Sequence, residues 1–129
     1  MTGRHNVKQG DIWWVDFNPG VGVEIRGVRP ALIIQSDRQT RISNLVTVLP
    51  LTSNMKNRIE GDIVIHKSHG NRLYSDSVIK VRAIMSFDRG RFRKKIGVVD
   101  DTVVGRVKEY LKGHFGINAP SPPISIPSR

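Results

Sequence analysis

Residues 18–37, NPGVGVEIRGVRPALIIQSD, change character halfway. As far as Arg29 they are loop chemistry: Pro19, glycines at 20, 22 and 27, and Glu24, Arg26 and Arg29 among them. From 30 to 34 the chain is unbroken apolar, PALII. Residues 30–36, a short and mainly apolar stretch bounded by turn residues, read as a strand buried on both faces. Glycines make the preceding loop pliable and let its backbone approach another group closely. Arg29 stands at the junction. The proline after it pushes its backbone toward the extended region, which fixes the stem and leaves the guanidinium free. A permanent positive charge held that way suits a phosphate. Arg29 would equally serve as the partner of Glu24 in a surface ion pair, worth little in energy.

Upstream, residues 11–17 (DIWWVDF) are rich in aromatic and β-branched side chains and read as a strand, ended by the turn residues 18–20. Alternation along it buries one of Trp13 and Trp14 and leaves the other half exposed. Downstream, NLVTVLPL at 44–51 reads as a third strand. Its Pro50 lies near the end, where a lost backbone donor is tolerated. That strand runs into Thr52, Ser53 and Asn54. If the second and third strands are neighbours, Thr52 comes close to Arg29; the register decides it. Shorter strands are expected at 62–66, 77–83 and 95–99. The basic connection 86–94 (SFDRGRFRK) holds at most a helical turn.

A helix is expected from Asp100 or Asp101, an aspartate being a good N-cap. Val103, Val104, Val107, Leu111 and Phe115 form its apolar stripe. Gly105 weakens it by about 1 kcal/mol relative to alanine. Gly113 and Gly116 mark its end. The last twelve residues contain four prolines and are expected to be disordered. The expected layout is a loose arm at 1–9, one domain at 10–117 and a tail at 118–129. Many short strands and one C-terminal helix predict a mainly β fold with α, a small curled antiparallel barrel that the helix covers.

Composition narrows the function. The 129 residues suit a single domain. Lys and Arg number 21 against 11 Asp and Glu, a net charge of +10, and such a surface attracts polyanions. Nucleic acid or an acidic protein segment is the partner implied, ahead of a membrane surface. No run approaches the ~18 apolar residues of a membrane span. The first ten residues carry charge without an apolar stretch, unlike a signal peptide. Cysteine is absent, which removes thiolate and disulfide chemistry and fits a cytoplasmic location. His5, His66, His69 and His114 follow no metal-ligand spacing, so no metal or other cofactor is expected. There is no GxSxG elbow. GVGVEIRG lacks the Lys-Ser/Thr ending of a phosphate-binding loop and precedes a strand.

The pattern Gly10-Asp11-Ile12-Trp13, Asn18-Pro19, Gly22, Glu24, Gly27, Arg29-Pro30 and Pro50-Leu51-Thr52 resembles the MazF/PemK (Kid) toxins of bacterial toxin–antitoxin pairs. SDSVIKVRAIMSFD adds a weaker match, and the likeness spans roughly residues 8–117. The resemblance implies an SH3-like barrel, a homodimer, and a metal-independent endoribonuclease. Such an enzyme cuts single-stranded RNA at short sequences, leaving a 2′,3′-cyclic phosphate and a 5′-hydroxyl. It implies Arg29 and Thr52 as active-site residues, with Glu24 as base or as holder of Arg29. Lys56, Arg58, Lys80, Arg82, Arg89 and Arg91 are expected to contact phosphates. The acid–base set of the Kid/PemK branch is missing, since Val23, Lys80 and Arg82 fill its positions. Ala83 and Met85 also depart from the family, which bears on the cut sequence. A cognate acidic antitoxin is implied as partner, touching Trp13, Trp14 or Val23. Two other readings fit the same pattern: a toxin of this fold that poisons a protein target such as gyrase, and a basic nucleic-acid-binding domain without catalysis.

Overall fold

The computed structural model describes residues 6–18 and 26–117. Val23, Glu24 and the proline-rich tail lie outside them. Seven strands run in chain order as β1 (Asp11–Asp16), β2 (Val28–Ile33), β3 (Leu45–Thr52), β4 (Ile63–Ile65), β5 (Ser77–Ile79), β6 (Met85–Asp88) and β7 (Phe92–Val98). Helix α1 (Asp37–Ile42) joins β2 to β3, and α2 (Asp101–His114) closes the fold. The sheet order is β4-β5-β3-β2-β1-β7, with β6 also on β3, and every pairing is antiparallel. The sheet curls without closing into a barrel.

β3 is the hub. One edge carries β2; the other carries β6 along residues 45–48 and β5 at Leu51 and Thr52. A 3-10 turn, Val81–Ala83, carries the chain from one partner site to the other. It ends β5 at Ile79, earlier than the strand to 83 that apolar content suggests. Side chains alternate between two cores. Ile12, Leu32, Leu49 and Leu51 face Val104 and Val107 of α2, while Trp13, Val15, Ala31, Ile33, Val48 and Phe92 pack on the opposite face. The apolar run of β2 is therefore buried on both sides, as its composition requires.

Several elements differ from expectation. Residues 7–9 are tied down rather than loose: Val7 is buried, the Gln9 amide donates to Asp37 Oδ1 at 2.8 Å, and its side chain donates to the Ile34 carbonyl at 2.7 Å. Helix α1 is polar and short, so it has no apolar stripe to announce it. Its signal is Ser36-x-x-Gln39, a capping-box spacing, and Ser36 Oγ accepts from the Gln39 amide at 3.2 Å. β6 runs from Met85 into the stretch read as a connection; Met85 and Phe87 face the core and Ser86 and Asp88 face out. β7 begins at Phe92, three residues early, because that ring packs edge-on to Trp13 at 6.3 Å. In α2, Asp100 has N-cap geometry but its carboxylate makes no capping bond. Phe115 is exposed past the last turn, where Gly116 takes the left-handed φ of 73° that ends helices.

Asp11 fastens β1. Its buried carboxylate accepts from the Lys8 amide at 3.0 Å and from Trp13 Nε1 at 3.1 Å, with Lys95 Nζ 3.4 Å away. A buried carboxylate is tolerated only when satisfied in this way. At the far end of the sheet the loop 66–76 presses its backbone onto β7 at Gly97. A Cβ there would sit 2.3 Å from the Asn71 carbonyl oxygen. Gly97→Ala is therefore expected to destabilise the fold by about 1–3 kcal/mol, the usual scale of overpacking. Urea unfolding monitored by tryptophan fluorescence measures it; an unchanged midpoint would contradict the close approach.

Candidate functional site

The β2–β3 register pairs Ala31 with Pro50, Leu32 with Leu49 and Ile33 with Val48. Counted two positions further, it brings Arg29 opposite Thr52 and Pro30 opposite Leu51. Proline has no N–H to give, and the ladder stops at Ala31 and Pro50. The four residues beyond it line an open groove of about 560 Å³. Its floor is a row running across the sheet, because Trp14 pairs with Pro30 on one side and Lys94 on the other. Trp13 is buried and Trp14 is half-buried in the groove, as strand alternation predicts.

Arg29 is half-buried, and its Nε donates to the Arg26 carbonyl at 2.8 Å. Asn18 and Gly27 pin the two ends of the intervening segment. Asn18 Oδ1 accepts from the Gly27 amide at 2.9 Å, and the Phe17 amide donates to the Gly27 carbonyl at 2.9 Å. Gly27 has φ 77°, a conformation that favours glycine. Thr52 Oγ1 accepts from the Asn54 amide at 3.1 Å, which aims its hydroxyl beside the strand end. Glu24 belongs to the segment outside the described residues.

Loop 66–76 forms the opposite wall and contributes Arg72, Leu73, Tyr74 and Ser75. Asn71 is buried at its centre. Its Oδ1 accepts from the Ser68 and Leu73 amides at 2.9 and 3.0 Å, and its Nδ2 donates to the His66 carbonyl at 2.9 Å. Arg72 carries φ 56°, unusual for a residue with a Cβ. The loop's base is closed by Asp76, which accepts from the Lys67 amide at 2.9 Å and faces His66 Nδ1 at 3.1 Å.

The cations of the groove are Arg29, Arg72, Lys94 and Lys95, so three of the four escaped the sequence-based assignment. The expected phosphate contacts sit elsewhere. Lys80 Nζ is 2.6 Å from the buried Asp62. Arg82 belongs to a second groove beside Glu109 and Tyr110. Arg89 donates to the Thr40 and Ser43 carbonyls, and Arg91 to those of Asp16 and Asn18. These side chains hold backbone together, which charge content alone does not distinguish from ligand binding. Lys56 and Arg58 are exposed on the loop after β3, outside the groove lining. The missed cations had one usable signal: Lys94 and Lys95 continue a strand that pairs with the Trp13–Trp14 strand. Among the described residues no three His, Asp or Glu side chains gather as a metal site, and no helix is long and apolar enough to cross a membrane.

The curled antiparallel β-sheet with its C-terminal helix is the fold of a known toxin class. Residues 8–115 match the model of the PemK-like, MazF-like toxins of type II toxin–antitoxin systems, and the chain belongs to that family. Endoribonuclease EndoA of Bacillus subtilis is 34% identical over 109 residues, covering 82% of this chain and 91% of its own. MazF of Deinococcus radiodurans superposes with a TM-score of 0.74 at 24% identity, covering 88% of this chain and 99% of its own. The MazF of a MazE–MazF complex from the same organism gives 0.71 at 23% identity, over 88% of this chain and all of its own. At these identities the two structures establish likeness of fold.

The Lys67 amide, then the His66 ring, hold the Asp76 carboxyl below its ordinary value of 3.8. A lowered carboxylate contributes to folded stability above the unfolded value and loses that contribution as pH falls through the folded one. The Lys67 amide resonance is therefore expected to shift with a midpoint below pH 3.8, and Asp76→Asn to abolish the transition. A midpoint above that value would show the loop to be closed otherwise.

Proposed function

We propose that the chain is a metal-independent endoribonuclease toxin that cleaves single-stranded RNA at short sequences, with Arg29 and Thr52 at the reacting phosphate. The observation that carries the reading is the convergence of these two side chains at one opened strand pair, in a basic groove floored by an aromatic ring. Kinship with EndoA, named an endoribonuclease, supports the reaction class.

RNA supplies its own nucleophile. The 2′-oxygen attacks the adjacent phosphorus and loses its proton, the P–O5′ bond breaks, and the leaving oxygen takes up a proton. The products are a 2′,3′-cyclic phosphate and a 5′-hydroxyl. Negative charge builds on the nonbridging oxygens in between, and a preorganised donor is worth most at that point. Arg29 supplies a fixed charge, and the Thr52 hydroxyl donates to a nonbridging oxygen and orients the phosphate. Glu24 either accepts the 2′-proton or holds Arg29. Lys94, Lys95 and Arg72 attract the flanking phosphates.

Arg29→Ala and Thr52→Ala are each expected to slow single-turnover cleavage about a hundredfold while leaving the fold intact by circular dichroism. Wild-type activity is expected to survive EDTA in full, with product ends mapped as above. Near-normal rates in either variant would remove that residue from the site. Loss in EDTA restored by Mg²⁺ or Zn²⁺ would overturn the mechanism. An RNA left uncut by the wild-type chain would favour a protein target or simple binding.

The active form is a homodimer in the cytoplasm, restrained by an acidic antitoxin. Solved relatives include a MazE–MazF complex and a mycobacterial endoribonuclease with its cognate antitoxin. An acidic peptide and RNA compete for the same groove cations, and Trp14 lies between them. Titration with the cognate antitoxin peptide is expected to change tryptophan fluorescence and suppress cleavage at the same concentration. Tight binding with cleavage unchanged would place the antitoxin away from the groove.

A further inference from the structure

Tyr74 is 91% exposed, yet it lines the groove that holds Arg29, Thr52 and Trp14. No hydrogen bond or ring contact joins its side chain to another described residue. It is not on a slack segment. Asn71, three residues before it, is buried and makes three side-chain hydrogen bonds, and Asp76 closes the loop two residues after it. The Val98 amide, bonded to the Gly70 carbonyl at 3.1 Å, fastens the loop to β7. An aromatic ring presented to water on a braced loop, beside cations, has the make-up of a stacking platform for a single-stranded base.

We infer that Tyr74 stacks one unpaired base of the RNA that flanks the scissile phosphate, and so extends the reach of the groove by one nucleotide. The inference rests on the endoribonuclease reading. Stacking needs the ring face and not the hydroxyl, and it is insensitive to charge. Arg72, two residues earlier on the same loop, is placed to meet the neighbouring phosphate.

The test uses the full chain and a cleavable single-stranded RNA, together with its fully 2′-O-methylated copy, which lacks the nucleophile. Dissociation constants are measured for the methylated RNA and for a series carrying one abasic position each. With the wild-type chain, one flanking abasic position is expected to weaken binding on the order of tenfold. Tyr74→Ala is expected to weaken binding of the intact RNA by a similar factor and to become indifferent to that abasic position. Tyr74→Phe is expected to behave as wild type. A Tyr74→Ala protein that keeps the full abasic penalty overturns the inference. So does a Tyr74→Phe protein as weak as Tyr74→Ala, which would assign the effect to the hydroxyl. A wild-type chain that fails to cut the unmodified RNA refutes the underlying activity. Cleavage by wild type with unaltered binding in Tyr74→Ala refutes the stacking role alone.

Discussion

The groove exists because Pro30 has no N–H. Without that donor the ladder between β2 and β3 ends at Ala31 and Pro50. Arg29, Pro30, Leu51 and Thr52, just past that end, line one space. The register that decides which residues meet there is set further in. Leu32 and Leu49 face one core while Ile33 and Val48 face the other. A slip by one residue would exchange those faces and set Arg29 against a different neighbour. Burial deep in the sheet thus fixes chemistry at its edge.

The other wall depends on contacts of a different kind. Loop 66–76 anchors Leu73 against the core, and the rest of its shape is held by hydrogen bonds to the buried Asn71 and by the absence of a side chain at Gly97. The floor between the walls is Trp14, and its position follows from Trp13. The Trp13 indole is anchored to Asp11 Oδ2 and packed edge-on to Phe92. Alternation along β1 then turns the next ring to the opposite face. One side of the groove is therefore set by strand pairing, one by loop hydrogen bonds, and the floor by a buried neighbour.

What the residues disclosed on their own follows from how local each signal was. The strand at DIWWVDF, the buried run PALII and the stripe of α2 are written in spacing within a few residues, and each formed close to where it was expected. The meeting of Arg29 with Thr52 needed only neighbouring strands in the right register. α1 and β6 carry polar or short sequences whose stability comes from tertiary partners: Ser36 capping and Gln9 anchoring for one, β3 pairing for the other. The placement of the expected phosphate-contacting cations outside the groove has a related reason. Arginine is at once a ligand for phosphate and a donor to stranded carbonyls. Only the positions of Asp16, Asn18, Thr40 and Ser43 reveal that Arg89 and Arg91 perform the second task.

The groove holds no imidazole and no carboxylate among the described residues that line it. That composition bears on the proposed chemistry. A guanidinium stays charged across the ordinary pH range, so it is suited to stabilising negative charge and poorly suited to exchanging protons. A threonine hydroxyl orients and donates without becoming a strong base. With these two groups at the phosphate, the proposed rate enhancement would come from electrostatic preorganisation and alignment of the 2′-oxygen with the leaving 5′-oxygen. Proton transfer would fall to water, to the RNA itself or to Glu24. An active site of the proposed kind would tolerate loss of the acid–base set of the Kid/PemK branch, because its transition-state contact would be made by charge and position. It also explains why strand register and loop bracing, rather than a tuned titratable pair, are the most heavily reinforced features around it.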